Sequence, residues 1–394
     1  MSFDPIVLPG IEPASDAGRA AVALAEPWMH LFAERSGAWD RAGQFPHDVV
    51  GELRGSGLLA VTVAAHLGGL GARGIVDHMA VASRLARGDA SMAIALNMHF
   101  SSTSGLGRSG RADDVLREVV VGRAWLCAAV TEPGGNYHFP RTELRPDGAG
   151  WLLDGHKVLA SGSPAATHIV ASCVVRGGEL DGLMASVVVP VSVDGVEVLD
   201  DWDGLGMRAS GSGQVRFSGV ELSGSTPVVP TGPFGEFTAA TLTYRAMGNC
   251  INLAAMLGIT EAAAAEAQAG VPDRATARTA LAELMASLHA VAAVQRDLGR
   301  CMDDAAVAPP STLEEAYVLM AEFQAAKILT HRASVNAVDL AMQVVGGRSY
   351  AGGHRLAQLY RDVRAGPFME PYRPYEALGF VGSVAAGVEP DVRS

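Results

Sequence analysis

Trp125-Leu126-Cys127-Ala128-Ala129-Val130-Thr131-Glu132-Pro133-Gly134-Gly135 joins an apolar run to a polar turn, and the fold turns on this stretch and the residues downstream of it. Six apolar residues closed by Thr, Glu, Pro and Gly have the pattern of a buried strand entering a turn. Downstream, Trp151-Leu152-Leu153-Asp154-Gly155-His156-Lys157-Val158-Leu159 predicts two short strands around an Asp-Gly turn, with Ser161-Gly162 just beyond. Ile169 to Val175 and Ala185 to Pro190 are β-branched runs bounded by turn residues, and Val215 to Leu222 alternates apolar with polar. The zone 126–230 therefore reads as a β-domain without interleaved helices.

Helical spacing surrounds it. Ala20 to Ala25 and the stretch from Asp77 to Leu96 predict helices on the N-terminal side, with Met79, Ala82, Leu85 and Ala86 on one face. On the C-terminal side, Ala262 to Ala269 and Ala275 to Met302 are strong helix formers broken by Gly270-Val271-Pro272. A further helix over Leu313 to Val345 stops at Gly346-Gly347. The expected organisation is α+β: an N-terminal α-helical domain over 1–125, the central β-barrel-like domain over 126–230, and a C-terminal four-helix bundle over 231–394.

Composition excludes several classes. With 42 acidic against 30 basic side chains and a net charge of −12, the chain has no nucleic-acid footprint and no polybasic run for a membrane surface. About twenty successive apolar residues do not occur, so no membrane span is expected. Met1-Ser2-Phe3-Asp4-Pro5 has no basic segment leading into an apolar one. Cys127, Cys173, Cys250 and Cys301 form no CxxC pair and read as small buried hydrophobes. A cytoplasmic location is expected.

Gly69-Leu70-Gly71-Ala72-Arg73-Gly74 matches the GxGxxG dinucleotide pattern literally. That pattern works only inside a βαβ unit, with an acidic residue closing the second strand. Here the segment after the following helix, Ser91 to Leu96, continues helically. The glycines are expected to form a turn between helices.

Thr131-Glu132-Pro133-Gly134, Asp154-Gly155-His156-Lys157, Ser161-Gly162, Gly206-Met207-Arg208-Ala209-Ser210 and the strand ending in Glu221 occur in an order that resembles the β-domain of the acyl-CoA dehydrogenase family. Phe45-Pro46, Gly57-Leu58 and Leu67 to Gly71 are similar to that family's N-terminal domain. Met342-Gln343-Val344-Val345-Gly346-Gly347 and Leu359-Tyr360-Arg361-Asp362 are similar to its closing signature, so the resemblance covers about 45 to 370.

The resemblance implies one FAD per subunit. An isoalloxazine edge needs hydroxyls and backbone N–H groups rather than charges, and Thr131 and Ser161 stand where the family contacts the ring, Ser161 near N5. Gln343, Gly346 and Gly347 match the segment that reaches a neighbouring subunit's FAD, which implies a homotetramer, or at least a dimer. The implied reaction is α,β-dehydrogenation of an acyl-CoA or acyl-carrier-protein thioester, as in fatty acid metabolism, with an electron-transfer flavoprotein or oxygen as acceptor. Eight residues after Asp362 comes Glu370, the implied catalytic base, which Phe368 and Met369 are expected to desolvate.

Departures from the family pattern open an alternative. Asn136-Tyr137-His138-Phe139 replaces the usual acidic continuation after Thr-Glu-Pro, and Leu159 stands where the family often has tryptophan. The Arg and Phe-Gly element that grips an FAD diphosphate is missing from Ala262 to Gln268, and Pro371 follows Glu370. Some relatives on this fold are monooxygenases or oxidases without a catalytic glutamate, and His99 and His138 are candidates for oxygen chemistry on that reading. A lone histidine in an apolar segment is more commonly structural.

Overall fold

The computed structural model describes residues 7–134 and 139–391. Helices come first: α1 (Asp16–Ala42), α2 (Val50–Gly55), α3 (Ile75–Gly88), α4 (Ala90–Ser109) and α5 (Asp113–Val120). Strands β1 (Leu126–Ala129), β2 (Glu143–Asp147), β3 (Gly150–Lys157), β4 (His168–Val175), β5 (Leu183–Pro190), β6 (Val196–Val198), β7 (Val215–Leu222) and β8 (Val228–Pro233) come next. The chain then returns to helix in α6 (Ala239–Gly270), α7 (Ala275–Val307), α8 (Leu313–Val345), α9 (Arg355–Asp362) and α10 (Pro374–Ala385). The C-terminal domain is three long helices with the shorter α10 packed on α8, and β8 carries the sheet to Pro233, past the expected edge at 230.

The single helix expected from Asp77 to Leu96 is two. Asp89 leaves helical geometry at φ −156° and its carboxylate accepts from the Met92 N–H at 2.9 Å, so it caps α4. At Gly88 a Cβ would stand 2.3 Å from the Met29 carbonyl oxygen, so α1 crosses at the break and only glycine fits. Leu58–Ala60, just before the glycines, is a short helical turn, so no strand leads into them, and Gly69 packs against the Val63 carbonyl. The dinucleotide pattern is thus a turn.

The sheet runs β6-β7-β3-β2-β4-β5-β8, with β1 pairing parallel to β4. The hairpin expected at Asp154-Gly155 does not form. β3 runs straight through it, paired with β2 on one side and β7 on the other, with a register shift between Leu153 and Gly155. Gly155 is needed there because a Cβ would meet Thr142 Oγ1 at 2.3 Å. Leu144, Leu153, Ile169, Val187 and Phe217 fill the sheet's own core, and α1, α3, α4, α6 and α8 contribute to a second, larger one. Two helices, α6 and α7, are long and apolar enough to cross a bilayer by length and composition. The apolar window of α6 is 83% buried inside the protein and that of α7 28%. All four cysteines are free.

Candidate active site

A cavity of about 580 Å³ opens where the three domains meet. Its floor comes from strand ends: Ala128 in β1 with Val130 and Thr131 just beyond it, and Leu159 and Ser161 after β3. Thr131 is held there by its neighbour. Glu132 is buried and accepts from Arg141 N (2.5 Å), Thr142 N (3.0 Å), Thr142 Oγ1 (2.7 Å) and Lys157 Nζ (2.5 Å). Burial alone would raise the Glu132 carboxyl, but the Lys157 charge and these donors hold it below the usual range. The Thr-Glu element is therefore a pin: the glutamate fixes the strand end and leaves the threonine facing the cavity.

Ser161 continues into a chain of hydroxyls that the sequence did not single out. Its Oγ lies 2.7 Å from Ser212 Oγ, which lies 2.6 Å from Ser210 Oγ, and all three residues line the cavity. Leu159 (φ +56°) and Met207 (φ +49°) line it too, both in the left-handed region that side chains rarely occupy. Such backbone persists where surrounding contacts over-determine it, and it clusters at functional sites. At Met207 the contact is visible: its N–H donates to the buried Asp362 carboxylate at 2.6 Å. Burial, then the nearby Asp89, push that carboxyl up to about 7, although the Met207 bond opposes them. Uncharged hydroxyls and strand-end backbone along one wall are the donor set a flavin ring needs, so the residues fit that cofactor.

Helices make the other walls. Ile94, Met98, Ser101, Gly105 and Arg108 present one face of α4, and Tyr244, Met247, Gly248 and Ile251 face them from α6. His78 lines the cavity as well. It donates from Nε2 to the Ala72 carbonyl (2.8 Å), and burial keeps its pKa down to about 4, so the ring is neutral and Nδ1 remains an acceptor.

Thr131, Ser161 and Glu370 are brought together in this cavity. The desolvation expected at Glu370 is absent: Phe368 is 79% exposed, and the Glu370 side chain is 47% exposed. Its carboxylate pairs with the buried Arg245 at 3.0 Å. Gln343, Gly346 and Gly347 end α8 outside the cavity of their own chain. Both nitrogens of His99 are committed to the fold, Nε2 to the Leu59 carbonyl (2.8 Å) and Nδ1 to the Leu126 N–H (3.0 Å), and burial lowers its pKa to about 4. It is structural. His138, with Gly135, Asn136 and Tyr137, lies outside the described residues. The cationic lining, Arg108, Arg245, Arg361 and Arg364, was missed as a set because it is gathered from three distant stretches, α4, α6 and the segment running from α9 into the turn after it. Of these only Arg361 lay in a quoted motif.

Comparison with known proteins places this architecture. Residues 29–113 match the acyl-CoA dehydrogenase N-terminal domain, 127–220 the middle domain and 240–370 the C-terminal domain. The chain belongs to the acyl-CoA dehydrogenase family and is a flavin-dependent oxidoreductase. It is 34% identical to the amino sugar nitrososynthase DnmZ of Streptomyces peucetius, over 95% of each chain. It is also 34% identical to the L-evernosamine nitrososynthase of a Micromonospora strain, over 96% of this chain and 93% of that one. The structure of KijD3 with FMN and dTDP-3-amino-2,3,6-trideoxy-4-keto-3-methyl-D-glucose superposes with a TM-score of 0.89 at 33% identity, covering 98% of each chain.

Proposed function

We propose that the protein is a flavin-dependent N-oxygenase that oxidises the amino group of a nucleotide-linked sugar. The observation that carries this reading is the state of Glu370. It is the one carboxylate among the described cavity-lining residues, and it is spent on Arg245. A thioester dehydrogenase needs a carboxylate free to take an α-proton, whereas N-oxygenation needs none. Full-length similarity to two nitrososynthases, and to a structure holding FMN with an amino sugar nucleotide, supports the same choice. It replaces the expected acyl-CoA or acyl-carrier-protein thioester, and it takes the alternative raised by the departures from the family pattern.

Bound in its reduced form, the flavin supplies the electrons and activates dioxygen. Overall, amine, dioxygen and reduced flavin give hydroxylamine, water and oxidised flavin. A second round takes the hydroxylamine to the nitroso compound with release of two waters. The chain's own residues bind, orient and exclude water. Thr131 and Ser161 hold the ring edge, and Ser212 and Ser210 orient the Ser161 hydroxyl. Ile94, Met98, Met247 and Ile251 keep the reacting region dry.

The flavin is FMN on this reading. The α6 stretch that lacks the family's diphosphate-gripping element puts Ala262, Ala263, Ala264 and Ala267 into the core. Reconstitution of apoprotein with an equimolar FMN and FAD mixture, followed by release and chromatography, should return mainly FMN. Equal retention of both would remove that preference.

The decisive assay supplies NADH, a separate flavin reductase, isotopically heavy dioxygen and a dTDP-linked 3-amino sugar. Product nitrogen should carry label from dioxygen. An unlabelled substrate, together with anaerobic bleaching of the flavin by an acyl-CoA ester, would return the protein to dehydrogenation.

A further inference from the structure

The cavity has a second functional end, far from the hydroxyl wall. The α4 and α6 helices run antiparallel along it, stitched by Asn97 Nδ2 to the Ile251 carbonyl (3.1 Å), Ser101 Oγ to the Gly248 carbonyl (3.4 Å) and Arg108 Nε to Tyr244 OH (2.6 Å). The flavin end is fixed by Gly162, beside Ser161, where a Cβ would stand 3.2 Å from Ala95 Cβ. From Ala95 to Arg108 is thirteen residues of helix, roughly 20 Å at 1.5 Å per residue. A hexose reacting at the flavin edge occupies only the first part of that length.

The far end is built for an anion. The other three arginines of the lining are each matched by a carboxylate: Arg245 by Glu370 (3.0 Å), Arg361 by Asp40 (2.5 Å) and Arg364 by Asp339 (3.1 Å). Among the described residues, Arg108 is matched by hydroxyls alone, Tyr244 OH and Ser104 Oγ (2.8 Å). Those bonds fix the guanidinium without cancelling its charge. Its carbon sits 4.7 Å from the Tyr244 ring centroid, and Tyr244 is itself 48% exposed at the mouth. A positioned, uncompensated guanidinium suits a phosphate, and an exposed ring beside it suits a flat base.

The geometry points to Arg108 and Tyr244 as the site for the nucleoside diphosphate half of the substrate, with the sugar reaching inward along α4 to the flavin. This rests on the amino sugar nucleotide reading and names the part of the chain that would recognise the nucleotide. Arg108 and Tyr244 are specificity residues here, remote from the reacting atoms.

Calorimetric titration of the flavin-loaded full-length protein with dTDP, UDP, GDP and ADP tests it without any turnover. At least one nucleoside diphosphate should bind, more weakly as salt is raised because the contact is a surface charge. Arg108→Gln should weaken it tenfold or more, Arg108→Lys by less, and flavin affinity should be unchanged in both. Equal nucleotide affinity in wild type and Arg108→Gln would overturn the assignment and leave the sugar-nucleotide reading intact. Failure of all four nucleotides to bind the wild type would overturn the assignment and the substrate class together.

Discussion

Asp362 couples the cavity wall to pH. Its buried carboxyl titrates near 7 against a usual value of 3.8, so between those values the folded chain keeps a proton that the unfolded chain has released. Stability from this group therefore falls as pH rises from about 4 to about 7, and is flat above that. Asp362→Asn keeps an acceptor for the Met207 N–H and cannot ionise. The variant should gain on wild type across that window, by on the order of 2–4 kcal/mol at most, since each decade is worth about 1.4 kcal/mol. Urea melts of both proteins at about pH 5 and about pH 8 read the difference, and an unchanged gap would dismiss Asp362 as the titrating group. Glu370 makes a contrasting case. If it serves Arg245 rather than a substrate proton, Glu370→Gln should slow oxygen transfer by less than about tenfold. A collapse of turnover by a thousandfold or more, with flavin still bound, would restore it as a base. Ser161→Ala should weaken flavin binding by about 1 kcal/mol, one neutral hydrogen bond, read by fluorescence titration.

Elements meet at a few points where side chains are too large. At Gly258 of α6 a Cβ would stand 2.3 Å from the Ser83 carbonyl oxygen of α3, so Gly258→Ala must push the two helices apart. The expected cost is roughly 1–3 kcal/mol, typical of overpacking, and a melting temperature equal to wild type would show that the crossing can relax. Such contacts also explain what the sequence could convey. The long helices were legible because Leu313 to Val345 and its Gly346 stop are local signals. The α3–α4 break was not, because Asp89 caps a new helix only where α1 crosses at Gly88. The Asp154-Gly155 turn signal was overridden by partners on both sides of β3, neither visible from local sequence. Strand β2, Glu143-Leu144-Arg145-Pro146-Asp147, is polar and contains proline, so its edge-like composition hid it. Thr131 and Ser161 were readable as strand ends facing a cofactor. Arg108 and Tyr244, 136 residues apart, meet only because α4 and α6 lie antiparallel.

The whole chain leaves surface that a second copy would cover. The apolar window of α7 is mostly unburied in the single chain, and Val318 and Leu329 on α8 are exposed. Gln343 and Gly347 are exposed at the end of α8, with Arg274 beside Gly346 and Arg348 donating to the Gly270 carbonyl at 3.4 Å. Burial of helix faces this apolar would stabilise an assembly by roughly 25 cal/mol per Å² covered, and closed symmetry is the usual outcome. We therefore propose a homotetramer, with a dimer as the minimum, in which Gln343, Gly346 and Gly347 reach the flavin of a neighbouring subunit. A bulky residue at that exposed glycine separates this from simple packing. Gly347→Trp should weaken flavin binding severalfold while each chain keeps its own Thr131 and Ser161 wall and its far-UV circular dichroism. Light scattering of the wild type should give a mass near four chains. A monodisperse monomer that holds its flavin, or a Gly347→Trp protein that binds flavin as wild type does, would mean that one chain completes the site alone.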